Sequence, residues 1–178
     1  YMIVTQVRSI KVMRPENNNF SKKYLGIYSV GEAFPNLIGV ASSQISFVLY
    51  PYLVNEKEIK KIALLYTSLI LTFIIGLFSL ILMFFFGEQL ILLVYGNEFI
   101  DSYNTLLILT LALTFYSMNN SLFNFYISKE KIKLVLKIIL LSIIVLVSLL
   151  STLLFKDFIY ASMSVAITNG IIFLLLIF

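Results

Sequence analysis

The chain contains no cysteine and no histidine. The first absence removes disulfides, thiolate metal sites and thiol nucleophiles, and the second removes the commonest general base and transition-metal ligand. Charge is also scarce, at 12% of 178 residues, where soluble domains carry about 25%. No GxxxxGK[ST] phosphate loop, GxSxG elbow, DxD pair or HExxH is present, and the connections between apolar runs are too short for an extramembrane catalytic domain. These absences together predict a protein without catalytic residues, cofactor or bound metal.

What the chain has instead is apolar surface, with 60% hydrophobic residues against the roughly 45 to 50% of soluble proteins. A spanning helix needs about 20 mostly apolar residues. Five segments approach or exceed that length, near 27–53, 62–86, 103–126, 138–155 and 158–178. The run from Leu69 to Phe86 is almost continuously apolar, which argues for helices over alternating barrel strands. The expected fold is an all-α, polytopic transmembrane helical bundle. Residues 1–26 are expected to hold the end of a preceding helix, at Tyr1 to Thr5, followed by a basic external connection. Tyr1 is not an initiator residue and Phe178 lies inside an apolar run, so the expectation is a fragment of a longer chain.

Net charge is +4, but the 13 Lys and Arg fall between apolar runs rather than along one basic face, which argues against nucleic acid and for a topological role. Five lie in residues 6–26, three in 54–61, four in 127–137 and one in 156–157, with none in 87–102. The positive-inside rule places Lys57, Lys60 and Lys61 with Lys129, Lys131, Lys133 and Lys137 in the cytoplasm, and Glu88, Glu98 and Asp101 outside. Arg8, Lys11, Arg14, Lys22 and Lys23 then fall outside, against the rule.

Two spans carry polar seams. In the first, Glu32, Asn36, Gly39, Ser43, Ser46 and Tyr50 alternate spacings of four and three, which at 100° per residue keeps them within about 40° of one direction. In the third, Thr110, Thr114, Ser117, Ser121 and Asn124 repeat that spacing. Such stripes avoid lipid tails, so they line a hydrated cavity or form helix–helix contacts glued by small and hydroxyl residues. The candidate cavity-lining residues are therefore Glu32, Asn36, Ser43, Ser46, Tyr50, Thr114, Ser117, Ser121 and Asn124. Glu32 is the one acid within these spans, which makes it either a coupling or gating carboxylate or a locally solvated one. Pro35 and Gly39 are a candidate hinge, with a static kink as the alternative. Ser68, Thr72 and Gly76 form a small-residue face suited to close packing.

Three segments carry a resemblance: LGIYSVGEAF at 25–34, the Tyr50 to Leu53 helix exit, and LILLVYGNEFIDSYNTLLIL at 90–109 with its Tyr95, Gly96 and Phe99. With the basic FYISKEKIK turn at 125–133, they resemble the polysaccharide (Wzx-like) flippases of the multidrug/oligosaccharidyl-lipid/polysaccharide exporter superfamily. The resemblance covers residues 24–133 and implies most of the second half of a two-bundle transporter in the bacterial plasma membrane. It further implies a lipid-linked oligosaccharide substrate, a cavity shared with an N-terminal half, and cytoplasmic connections at 54–61 and 127–137. One departure stands out: family members place basic residues in the cavity, whereas residues 27–126 have none outside the 54–61 turn. A drug or small-solute exporter of the same superfamily and a noncatalytic membrane assembly subunit are the alternative expectations. A membrane enzyme acting on lipid-linked sugars would want a large external loop or an intramembrane His, and the sequence has neither.

Overall fold

A computed structural model describes residues 18–153 and 159–177, with side chains at 26–151 and 159–177. Among these residues it holds five long helices and no strand: α1 (Asn18–Asn55), α2 (Glu58–Tyr95), α3 (Tyr103–Ser128), α4 (Ile132–Leu153) and α5 (Ile159–Ile177). A short 3₁₀ helix, Asn97–Ser102, joins α2 to α3. All five are long and apolar enough to cross a membrane. Helices satisfy every internal backbone group within the segment, which hydrocarbon demands. The perimeter is correspondingly apolar, with Phe47, Tyr66, Phe73, Phe85, Leu93 and Ile144 all exposed. This is a multi-pass membrane protein built as an all-α bundle.

Helix α3 is the centre of the bundle and packs against α1, α2 and α5, and more lightly against α4. Gly31 meets Thr105, Gly39 meets Leu113 and Ser46 meets Ser121, so α1 and α3 run parallel in a nearly constant register. Helix α2 lies beside both, with Val30, Met83, Ile91 and Leu106 forming one core cluster. At the other end, Leu53, Leu65, Leu122, Phe125, Ile172 and Leu176 bring four helices together. The small residues Ser68, Thr72 and Gly76 are buried, as the close-packing reading of that face expects.

The turns explain where helices stop. Gly96 has φ of +86°, a conformation that glycine alone adopts without strain, and its N–H closes α2 on the carbonyls of Ile91 and Leu92. Glu130 takes φ of +60° at the α3–α4 turn, where its N–H bonds to Ile127 O and that of Lys131 to Tyr126 O. That pattern is a Schellman closure with a non-glycine residue in its left-handed position.

Helix ends depart from the sequence reading at several places, including the starts of α2 at Glu58 and of α4 at Ile132, and by most at two. Helix α2 continues through Glu88 to Tyr95, because one exposed acid and Gln89 do not interrupt a helix whose next residues, Leu90 to Val94, are again apolar. Residues 18–26 belong to α1 rather than to a connection, so Lys22 and Lys23 stand on its first turns. The expected helix tail at 1–5, the basic stretch 6–17 and the 154–158 connection lie outside the described residues.

Candidate functional site

The polar seam of α1 divides into two parts when its neighbours are considered. Pro35, Gly39, Ser42 and Ser46 are buried against α3. Val30, Phe34 and Ile38 pack on the α2 side. Glu32, Asn36, Ser43 and Tyr50 lie about half a turn around the helix from that group, so they look away from α2. Three of them are half-buried, and Tyr50 is 36% exposed.

The space they overlook is bounded by α5. Helices α1 and α5 both pack on α3 but make no close backbone approach to each other. At one end Tyr28 crosses the interval and packs against Leu146, Leu150 and Ala161 of α4 and α5. On α3, the α5-facing residues are Phe115, Asn119 and Tyr126, and the α1-facing ones are Leu113, Ser121 and Asn124. Helical spacing puts Tyr116 and Asn120 between those two faces, on the side away from α2. Tyr116 is exposed and Asn120 half-buried. The result is a cleft with a polar flank of α1 as one wall, α5 as the other and α3 as its floor.

The seam of α3 does not line this cleft as a unit. Ser121 is buried and hydrogen-bonded to Ser46 across 2.7 Å, and Asn124 Nδ2 donates to Ser46 O at 3.0 Å. These three form an α1–α3 contact. Ser117 is buried, with its hydroxyl bonded to Leu113 O. Thr114 lies against Gly76 of α2, on the opposite side from the cleft, and its hydroxyl returns to Thr110 O. The reason is geometric: at 100° per residue the stripe spreads over about 80° of α3, so its Thr114 edge meets α2 while its Asn124 edge meets α1.

Glu32 sits in the upper wall, where Asn36 Nδ2 donates to its Oε1 at 2.9 Å, one helical turn away. Ser43 bonds to Val40 O. Helix α1 runs unbroken through Pro35 and Pro51, with Pro35 fully buried and Gly39 placed against Leu113. The Tyr95-Gly96-x-x-Phe99 element has a definite job: the ring of Tyr95 stands edge-on to Phe34 at 6.2 Å and to Phe99 at 6.3 Å, pinning the α2–α3 connection to α1. At the opposite end Lys129 pairs with Glu58 at 2.7 Å, and buried Lys61 donates to Ser128 O at 3.4 Å. The connections 54–61 and 127–137 thus share one end of the bundle.

Tyr116 and Asn120 were not legible as site residues, because neither falls on the four-and-three stripe of α3. Asn119, which donates to Asn169 O at 3.0 Å and ties α3 to α5, was missed for the same reason. The only sequence signal was the Asn119-Asn120 pair itself, two amides inside an apolar span. Among the described residues no group of His, Cys, Asp and Glu could hold a metal. No protein family, curated protein or solved structure matches this chain.

Proposed function

We propose that this chain forms one helical bundle of a flippase that moves lipid-linked oligosaccharide repeat units across the bacterial plasma membrane for O-antigen, capsule or exopolysaccharide synthesis. Such transport is a problem of solvation. Sugars and phosphates need polar partners to cross about 30 Å of hydrocarbon, while the lipid tail can remain in the bilayer. The observation that carries the reading is the cleft between α1 and α5, which offers Glu32, Asn36, Ser43, Tyr50, Tyr116 and Asn120 in an otherwise apolar perimeter. The resemblance of residues 24–133 to the polysaccharide flippases names the substrate class. In that scheme the cleft faces a second bundle of the same transporter, and the lysines absent from residues 27–126 outside the 54–61 turn belong to that partner.

Glu32 is the group in this cleft able to link protonation to movement. Glu32→Gln keeps the oxygen that accepts from Asn36 and removes the charge. In the intact transporter it is expected to abolish most lipid-linked sugar translocation while expression and insertion stay normal. Glu88→Gln, on the exposed surface of α2, is expected to leave transport unchanged. Normal translocation by Glu32→Gln would refute the coupling role. Export of drugs or small solutes by the wild-type protein without any translocation of lipid-linked sugars would refute the substrate assignment.

A further inference from the structure

The lysines at the end of the bundle shared by connections 54–61 and 127–137 differ in what they meet. Lys60 pairs with Glu56 at 3.2 Å, Lys129 pairs with Glu58, and Lys61 is buried against Ser128 O. Lys61 and Lys129 tie the two connections together, Lys60 pairs within its own connection, and Lys57 beside it is exposed. Lys131, Lys133 and Lys137 make no ion pair among the described residues and are exposed at the start of α4, with Glu130 the one acid left nearby.

Lys133 and Lys137 stand one turn apart on the same face of α4, and the face continues through Leu140, Ile144 and Val147. These three are 62%, 65% and 58% exposed. Helix α4 packs mainly on α5, which leaves this stripe on the perimeter. From Lys133 to Val147 it extends about 21 Å, more than the ~15 Å half-thickness of the hydrocarbon. Two cations heading an acyl-length apolar stripe match the two parts of an anionic phospholipid. A soluble phosphate would use the lysines and ignore the stripe.

We propose that this face of α4 is a binding site for an anionic phospholipid, with the headgroup phosphate at Lys133 and Lys137 and an acyl chain along Leu140, Ile144 and Val147. The inference rests on the membrane-spanning fold and is independent of the flippase reading. Lysine side chains reach the interface while their stems stay in the apolar layer, so Lys137, one turn deeper, still meets the headgroup. Each lysine near an anionic surface favours it by about fivefold.

The absence of cysteine makes a local test available. Leu140→Cys carries a fluorophore on the stripe and Phe73→Cys carries one on the lipid-facing surface of α2. Each full-length labelled protein is reconstituted in phosphatidylcholine containing brominated phosphatidylglycerol or, at the same fraction, brominated phosphatidylcholine. At Leu140 the brominated phosphatidylglycerol is expected to bind about fivefold or more in preference, and at Phe73 the two lipids are expected to quench alike. Lys133→Gln with Lys137→Gln should remove the preference at Leu140, whereas the charge-matched Lys57→Gln with Lys60→Gln should retain it. Equal quenching at Leu140, the same preference at Phe73, or loss of preference in both charge-matched proteins would overturn the assignment. Circular dichroism of each variant checks that helix content is kept, and since all four lysines are exposed no refolding of the bundle is expected.

Discussion

Gly76 gives the sharpest test of how α2 and α3 fit together. A Cβ added at this buried position would overlap Thr114 Cγ2 and Oγ1 and stand 2.8 Å from its Cβ. Overpacking of that kind costs about 1 to 3 kcal/mol. Against it, replacing glycine by alanine within a helix gains about 1 kcal/mol, so the net loss for Gly76→Ala alone is about 0 to 2 kcal/mol and by itself decides little. The double-mutant cycle with Thr114→Ala removes the propensity contribution, which is common to both backgrounds. Thr114→Ala deletes the methyl and hydroxyl that the new Cβ would strike, at a cost of about 1 kcal/mol for the void and the lost bond to Thr110 O. The two changes together are then expected to cost at least ~1 kcal/mol less than their sum. The measurement is reversible unfolding in mixed micelles, followed by circular dichroism as denaturing detergent is raised. Gly170→Ala is the control, since a Cβ there meets nothing within 4 Å. A coupling below about 0.5 kcal/mol, the scatter of independent sites, would refute the packing of Thr114 on Gly76.

Three further outcomes follow, two from geometry already described and one from the charge distribution of the connections. Glu130→Gly should stabilise the bundle by about 1 kcal/mol in the same unfolding assay, because a left-handed conformation costs an L-residue roughly 1 to 2 kcal/mol; a loss of stability would mean that the Glu130 side chain contributes more than its backbone costs. Ser121→Ala should cost about 0.6 kcal/mol and at most ~1.7, the range of interhelical hydrogen bonds in bilayers, and a neutral result would show that Ser46 finds another partner. Cysteines introduced singly at Asn97 and Lys131 should react with an impermeant reagent from opposite sides of the membrane, with Asn97 outside, and labelling of both in intact cells would overturn the topology.

The helices were legible because hydropathy over 20 residues is a strong signal, and their edges were not. A carboxylate at Glu88 ends an apolar window without ending a helix, so α2 was read as stopping at Phe86 when it runs to Tyr95. The seams of α1 and α3 had matching spacing, and Ser46, Ser121 and Asn124 do join those two helices. Periodicity alone could not tell that Thr114 turns to α2, because spacing places a residue on one face of its helix and does not say which neighbour covers each edge of that face. Tyr116 and Asn120 escaped for a related reason: what faces a cleft depends on which neighbours are absent, and sequence spacing records only the neighbours that are present.

The central position of α3 bears on how the chain is made. Its window is the least apolar of the five spans and the most enclosed by protein, so it depends on company to remain in lipid. Helices α1 and α2 precede it from the ribosome and can receive it on two sides. Asn119 Nδ2 and the Tyr126 hydroxyl, however, donate to the carbonyls of Asn169 and Leu176 on α5, the last of the five described helices to be synthesised. Until α5 enters the bilayer, an amide and a phenol on α3 stand without these partners, and a chain arrested before that moment presents quality-control proteases with a membrane segment whose polar groups are still exposed.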